Sequence, residues 1–134
     1  MLTLEKVNKK DYKFLYGLLK ERDPIANISH QKMPSWNEHV RFNNSKPYKY
    51  DFVIKDGKRK IGRVYITSRN EIGIFIKNNF RSKRYGMTVL GVILDKLKDE
   101  TVYANIAPYN KKSQKFFKKF GFKLIQYTYR YKKA

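Results

Sequence analysis

Between Asn78 and Gly86 the chain gathers three cations, Arg81, Lys83 and Arg84, in the connection from an alternating apolar segment to a helix-periodic one. A strand, a basic connection and a helix in that order set unpaired backbone N–H groups and the positive end of a helix dipole beside those cations. That combination binds phosphate. The connection lacks the Gly-Lys-Ser/Thr ending of a nucleoside-triphosphate loop and the glycine spacing of a dinucleotide fingerprint, so those two phosphate chemistries do not fit it. Two further cationic features stand downstream. Lys111, Lys112, Lys115, Lys118 and Lys119 read as an RNA-facing ridge or as a solvated helix face. Tyr127, Tyr129 and Tyr131 alternate with Thr128, Arg130 and Lys132. Aromatics interleaved with bases stack on single-stranded nucleic acid, while the same period of two also describes one packed face of a strand. Cysteine is absent, which removes thiolate nucleophiles and thiolate-held zinc or iron–sulfur clusters, and no metal site is expected.

The elements that must position these residues follow from period and caps. Leu2 to Val7 alternates as a short strand. Asn8 and Asp11 form a capping box ahead of Phe14, Leu15, Leu18 and Leu19, predicting a helix to about Arg22 that Asp23-Pro24 stops. Ile25 to Pro34 is irregular, and Ser35 with Glu38 caps a second short helix through about Asn43. From Tyr48 the period becomes two, and the Asp56-Gly57 turn leads into a partner strand, Lys60 to Thr67. A third strand, Glu71 to Lys77, completes an antiparallel meander. The basic loop Asn78 to Tyr85 then precedes an apolar helix stripe through Val89, Leu90, Ile93, Leu94 and Leu97. Thr101 to Ala107 reads as a strand, Pro108 and Asn110 open another helix that ends at Gly121, and Phe122 to Lys132 reads as a last strand. This order predicts an α/β (α+β) domain, a mixed sheet covered by helices.

Length and charge bound the rest. A chain of 134 residues is one domain, 1–134, large enough to bury a real core without disulfides. Thirty-one Lys and Arg against 11 Asp and Glu give a formal net charge of +20, which draws a polyanionic partner such as RNA or a nucleotide-linked substrate. No leader is visible at Met1-Leu2-Thr3-Leu4, and the longest mostly apolar stretch, Met87 to Leu94, is too short to span a bilayer. A cytoplasmic protein without membrane contact is expected.

Two segments carry a family resemblance. Arg81-Ser82-Lys83-Arg84-Tyr85-Gly86 resembles the pyrophosphate loop of the GCN5-related N-acetyltransferases (GNAT), Gln/Arg-x-x-Gly-x-Gly/Ala, with Arg84 in place of the middle glycine. Asn110-Lys111-Lys112-Ser113-Gln114-Lys115-Phe116-Phe117, ending Phe120-Gly121-Phe122, is similar to the family's Asn-x-x-Ser/Ala pattern with its aromatic pair and Gly-Phe. The two stand in family order, with Glu71 to Ile76 where the fourth strand belongs. The resemblance implies a GNAT-type mixed, mostly antiparallel central sheet of about six to seven strands flanked by about four helices.

It also implies acetyl-coenzyme A as donor, splayed between the fourth and fifth strands. Ile74, Phe75 and Ile76 would pair with the pantetheine arm, and the loop amides from Ser82 to Met87, including those of Tyr85 and Gly86, would hold the pyrophosphate, with Arg81, Lys83 and Arg84 adding charge. Asn110 and Ser113 would face the pantetheine and sulfur, and Phe117 the thioester end. The Phe117 position is often tyrosine in the family, where the phenol protonates the leaving thiolate; here Tyr109, Tyr103 or water would substitute. Should Arg84 adopt the left-handed region, its backbone costs about 1–2 kcal/mol.

The implied reaction is direct acetyl transfer to a primary amine, with Glu71 the preferred base, acting directly or through water, and a strand-four amide near Ile76 holding the oxyanion. Acceptor choice in this fold comes from the first two helices and their connection, which makes His30, Trp36 and His39 candidate acceptor residues, the histidines also as alternative bases. The same residues read equally as packing, caps and surface groups. Two functions therefore stand: an N-acetyltransferase acting on a small anionic metabolite, a protein or an aminoacyl-tRNA amine, as monomer or homodimer; or a catalytically weak GNAT fold serving as a basic nucleic-acid- or protein-binding module.

Overall fold

The computed structural model describes residues 1–22 and 32–133. β1 (Leu2–Lys6) leads through a 3-10 turn at Lys9–Asp11 into α1 (Tyr12–Glu21). The Asn8–Asp11 capping box forms as its spacing requires, the Asn8 side chain accepting from Lys10 N while Asp11 accepts from Asn8 N at 2.9 Å. The Ser35–Glu38 box likewise starts α2 (Trp36–Asn44), with both reciprocal bonds made. β2 (Tyr50–Asp56), β3 (Arg59–Ile66) and β4 (Glu71–Ile76) form the expected meander, joined across Gly57 at φ +62° and across Asn70 at φ +60°. α3 (Tyr85–Lys96), β5 (Tyr103–Ala104) and α4 (Lys111–Lys119) complete the order.

The sheet runs β1-β2-β3-β4-β5, antiparallel except for the parallel β4–β5 pair. Each face is covered. Ile54, Val64, Ile66 and Ile72 meet Val89, Leu90 and Ile93 of α3 and Phe117 of α4, while Tyr12, Leu15 and Leu18 of α1 close over Val53 on the other face. Full burial of each aliphatic side chain contributes about 1.5–3 kcal/mol, so the α3 stripe holds that helix to β4 and fixes where its N-terminus points.

Two expectations are corrected. The connection Asn78–Lys83 is a 3-10 helix rather than an open loop. The expected last strand, Phe122 to Lys132, is not formed, so the sheet has five strands where about six to seven were expected. Its partner would be β5, and β5 is only two residues long, which leaves too short an edge to organise a neighbour. No main-chain hydrogen bond ties residues 123–133 to the sheet among the described residues. Tyr127, Tyr129 and Tyr131 stand 75–89% exposed, so they do not form the packed face that their period of two allows.

A candidate acetyl-coenzyme A site where two strands part

Register decides which backbone groups are available. Thr67 N donates to Glu71 O and Lys77 N to Ile61 O, so the odd residues of β4 spend their main-chain groups on β3. Those of Ile72, Ile74 and Ile76 point the other way, toward β5. Pairing with β5 stops after Ile72↔Ala104. The strands then part, and the N–H and C=O of Ile74 and Ile76 point into the opening. Phe75 stands differently: its backbone faces β3, and its ring packs under α1 with the Arg22 guanidinium 4.4 Å from its centroid.

The opening ends at the start of α3. Arg84 sits at that helix's N-cap with φ +62° and ψ 12°, and no side chain caps the helix. The left-handed region foreseen as a cost for an arginine here is therefore occupied, at about 1–2 kcal/mol. Without a cap, the first-turn amides of Tyr85, Gly86 and Met87 lack intrahelical acceptors and carry the positive end of the dipole. Arg81 Nε donates to Ile76 O at 3.0 Å, fastening the basic turn to the open side of β4. Ser82 lies in the 3-10 turn, and Lys83 and Arg84 are exposed beside the helix start. Gly86 lets α4 pack closely: a Cβ there would come within 3.3 Å of the Phe116 ring, which would have to shift by a few tenths of an ångström.

Tyr85 anchors this helix start from behind. Its hydroxyl donates to Asp56 Oδ2 at 2.6 Å, and Arg59 donates to the same oxygen at 3.0 Å. The Tyr85 bond, the Met1 ammonium and Arg59 hold the Asp56 carboxyl down at about 2, and Asp56 in turn raises the Tyr85 phenol.

Asn110 caps α4, its Oδ1 accepting from Ser113 N at 3.2 Å. Phe117 is buried in the core, edge-on to Phe116 and Phe122. Tyr103 and Tyr109 remain exposed.

Glu71 stands at the closed end, where β4 and β5 still pair. Its carboxylate accepts from Thr67 Oγ1 at 3.1 Å and from Asn105 Nδ2 at 2.6 Å. Sequence reasoning missed both partners; the signal was a lone polar residue, Asn105, inside an otherwise apolar segment. It also missed the aromatic floor beside Glu71, in which Tyr65 stacks on Tyr48 at 3.9 Å and covers Gly73. Burial raises both phenols above the ordinary tyrosine range.

The proposed acceptor residues separate. His30 lies outside the described residues. His39 is only 2% exposed, so it is neither base nor acceptor contact in this structure but a packing residue. Its Nε2–H donates to Tyr12 O at 2.9 Å, and Asn43 Nδ2 approaches its Nδ1 at 3.3 Å, which fixes the neutral tautomer; burial and then Arg63 lower its pKa. Trp36 packs edge-on against Tyr16 of α1 at 5.3 Å and remains 43% exposed. Among the described residues no group of three or more His, Asp and Glu is placed to hold a metal, and no helix is long and apolar enough to cross a membrane.

The donor set fits acetyl-coenzyme A: alternate main-chain groups facing a gap suit an amide-bearing arm, and an uncapped helix start beside three cations suits a pyrophosphate. An acetyltransferase from Thermus thermophilus superposes with a TM-score of 0.78 at 18% identity, covering 94% of this chain and 89% of that one. The spermidine N-acetyltransferase of Vibrio cholerae in complex with CoA and spermine gives 0.78 at 22% identity, covering 90% and 79%. An aminoglycoside N-acetyltransferase in complex with CoA gives 0.73 at 17%, covering 99% and 95%. No curated protein sequence matches the chain. The acetyltransferase (GNAT) domain model matches residues 1–123, and with the parted strands and uncapped helix in place, the chain belongs to the GNAT acetyltransferase family, whose donor is acetyl-coenzyme A.

Proposed function

We propose that the protein is an N-acetyltransferase that moves an acetyl group from acetyl-coenzyme A to a primary amine by direct attack. The observation that carries this reading is the gap beyond Ile72, where Ile74 and Ile76 turn main-chain groups away from β3, the Ile76 carbonyl already held by Arg81, next to the uncapped start of α3. Bound acetyl-coenzyme A supplies an activated acetyl group. Ile74 and Ile76 orient its arm, and the amides of Ser82 to Met87 with Arg81, Lys83 and Arg84 hold its phosphates. In this reading Asn110 and Ser113 face the pantetheine and sulfur from α4, although the Asn110 side chain is committed to the cap. Phe117 supports the site by packing alone.

Glu71 takes the proton that the acceptor amine must lose. It is suited to this because Thr67 and Asn105 fix both carboxylate oxygens at the point where the strands diverge. An even-numbered β4 amide, that of Ile76, donates where negative charge develops. Tyr103 and Tyr109 are exposed near the β5–α4 connection and are available to return a proton. Relatives of this fold acetylate spermidine or aminoglycosides, so amine acceptors are within its reach.

A second reading, a basic binding module, is favoured by the exposed tyrosines at residues 127–131 among arginine and lysine. Calorimetric titration with acetyl-coenzyme A at low and raised salt separates the two. Saturable one-to-one binding that survives salt, followed by thiol release with an amine, is expected; Glu71→Gln lowers turnover by about 100-fold or more and leaves binding intact. Loss of all binding at raised salt would move the module ahead.

A further inference from the structure

We infer that residues 124–132 are the contact of a homodimer, in which the arm of one copy pairs antiparallel with the same arm of a second copy about a two-fold axis at Thr128.

The arm has the side-chain geometry of a strand, although it belongs to no sheet. The rings of Tyr127 and Tyr129 stack with centroids 6.4 Å apart, and Gln126 Nε2 donates to Thr128 Oγ1 at 3.4 Å. Residues two apart therefore share a face on each side, as pleating requires. No residue of the arm has a positive φ. Among the described residues, residues 123–133 make no main-chain hydrogen bond. Such a segment offers a row of donors and acceptors to a second strand.

Its pattern is self-complementary. Ile125, Tyr127, Tyr129 and Tyr131 alternate with Gln126, Thr128, Arg130 and Lys132, and the apolar set is centred on Thr128. A two-fold axis at that residue sets Tyr127 opposite the partner's Tyr129, Ile125 opposite the partner's Tyr131, and Thr128 opposite the partner's Thr128. On the polar face Arg130 meets the partner's Gln126, and Lys132 meets the partner's Leu124. Aromatic, β-branched and threonine pairs stabilise a ladder, and between 124 and 132 no cation faces a cation. Moving the axis by one residue would set Tyr131 against Lys123, or Ile125 against Lys133.

The exposed surface also suits a second copy. Leu124, Ile125 and the three tyrosines are 68–89% exposed. A tyrosine buries about 150–250 Å² when covered, so each arm offers several hundred Å² of apolar surface, the scale of the roughly 800 Å² that one partner gives to a standard interface. Base stacking would cover the rings and leave the main chain unpaired; a second arm covers the rings and pairs one row of main-chain groups. A two-stranded ribbon is marginal in water, and each copy carries a formal charge of +20. The dimer is therefore reversible, and it tightens as salt screens the repulsion.

The test is sedimentation equilibrium of the full chain from about 10 to 500 μM at about 50 and 500 mM salt. Expected is a monomer–dimer equilibrium that is tighter at high salt. Tyr127→Lys combined with Tyr129→Lys should weaken it tenfold or more, with circular dichroism reporting an unchanged fold. The chain has no cysteine, so a single introduced thiol reads the register. Thr128→Cys is expected to give a disulfide-linked dimer in oxidised glutathione, because residues directly opposite in an antiparallel pair lie within disulfide reach. Gln126→Cys alone should not link, while its equimolar mixture with Arg130→Cys should. A monomer at both salts would overturn the inference, as would association unmoved by the paired lysine substitutions or equal linking through positions 126 and 128. Species that keep growing with concentration would replace the two-fold contact by open-ended strand addition and overturn it too. A chain that stays monomeric and binds a single-stranded RNA oligonucleotide through Tyr127 and Tyr129, more weakly at high salt, would assign the arm to nucleic acid instead.

Discussion

The ring of Tyr65 fills the space directly above Gly73, where the first carbon of any side chain would meet the tyrosine's Cζ, Cε2 and hydroxyl oxygen. The missing side chain lets Tyr65 lie against β4 and stack on Tyr48, so one glycine sets the height of the aromatic floor beside Glu71. Gly73→Ala is expected to lift that ring and to cost about 1–3 kcal/mol, the range for overpacking a closed site. Urea unfolding reads the cost, and Tyr65→Ala in the same chain should return part of it. A wild-type midpoint in the single variant would show that the ring moves freely.

Arg84→Gly should separate stability from cofactor affinity. Glycine takes the φ +62° backbone without a Cβ penalty, so the variant is expected to gain up to about 1 kcal/mol and a higher Tm. The same change removes a cation beside the uncapped amides, so affinity for acetyl-coenzyme A should fall, more at low salt than at high. Opposite signs in melting and calorimetry are the expected outcome. A lower Tm would mean that the arginine side chain stabilises the turn by more than its backbone costs.

The Asp56–Tyr85 bond predicts a pH response. Asp56 in the fold titrates at about 2, below the unfolded carboxyl near 3.9, so the ionised form is favoured by folding. Its contribution is fully present above about pH 4 and is lost as pH falls toward 2. Tyr85, raised by the same bond, contributes below the ordinary tyrosine range near 10 and loses that contribution as pH climbs past its folded value. Tyr85→Phe should therefore move the acid unfolding limb to higher pH and loosen the first turn of α3. Identical acid limbs for the two proteins would contradict this.

Much of this arrangement was legible from residue types alone. Both capping boxes stood in the spelling Asn8-x-x-Asp11 and Ser35-x-x-Glu38, because a cap is a local bond between neighbours in sequence. The meander and the strand–turn–helix that ends β4 and starts α3 followed from period and glycine placement. What stayed hidden depends on distant partners. Whether Phe122–Lys132 becomes a strand depends on the length of β5, which no property of the segment itself reports. His39 titrates near neutrality in water and so suggested chemistry, yet its ring is buried against the carbonyl of Tyr12, 27 residues away. Asn105 and Glu71 are 34 residues apart and meet only because β4 and β5 run parallel.

Arg63 is the buried charge on which the α2 side depends. It is 7% exposed, binds Asp51 through both oxygens and donates to Asn43 Oδ1 at 2.8 Å; Asn43 in turn donates to His39 O. Arg63→Ala strands a carboxylate and an amide together and should cost about 3 kcal/mol or more. Adding Asp51→Asn removes the uncompensated charge, so the double variant is expected to be more stable than Arg63→Ala alone. Denaturant titration of the three proteins decides it, and additive losses would show that the pair is not coupled.

Asn110 tests how far the family's reading of a residue survives its local duty. Its Oδ1 is already bound to Ser113 N, so the side chain first serves as the cap of α4, and Asn110→Ala should cost about 1 kcal/mol by that loss. Asn110→Asp keeps the acceptor and adds a negative charge at the helix start, which preserves the cap. If Asn110 also borders the cofactor arm, the aspartate variant should melt like wild type and yet bind acetyl-coenzyme A about tenfold or more weakly, with a smaller deficit at raised salt. If its role is the cap alone, the aspartate variant should match wild type in both measurements while the alanine variant loses stability. The two substitutions thus assign Asn110 to the cap or to the opening by which of them fails, and in which assay.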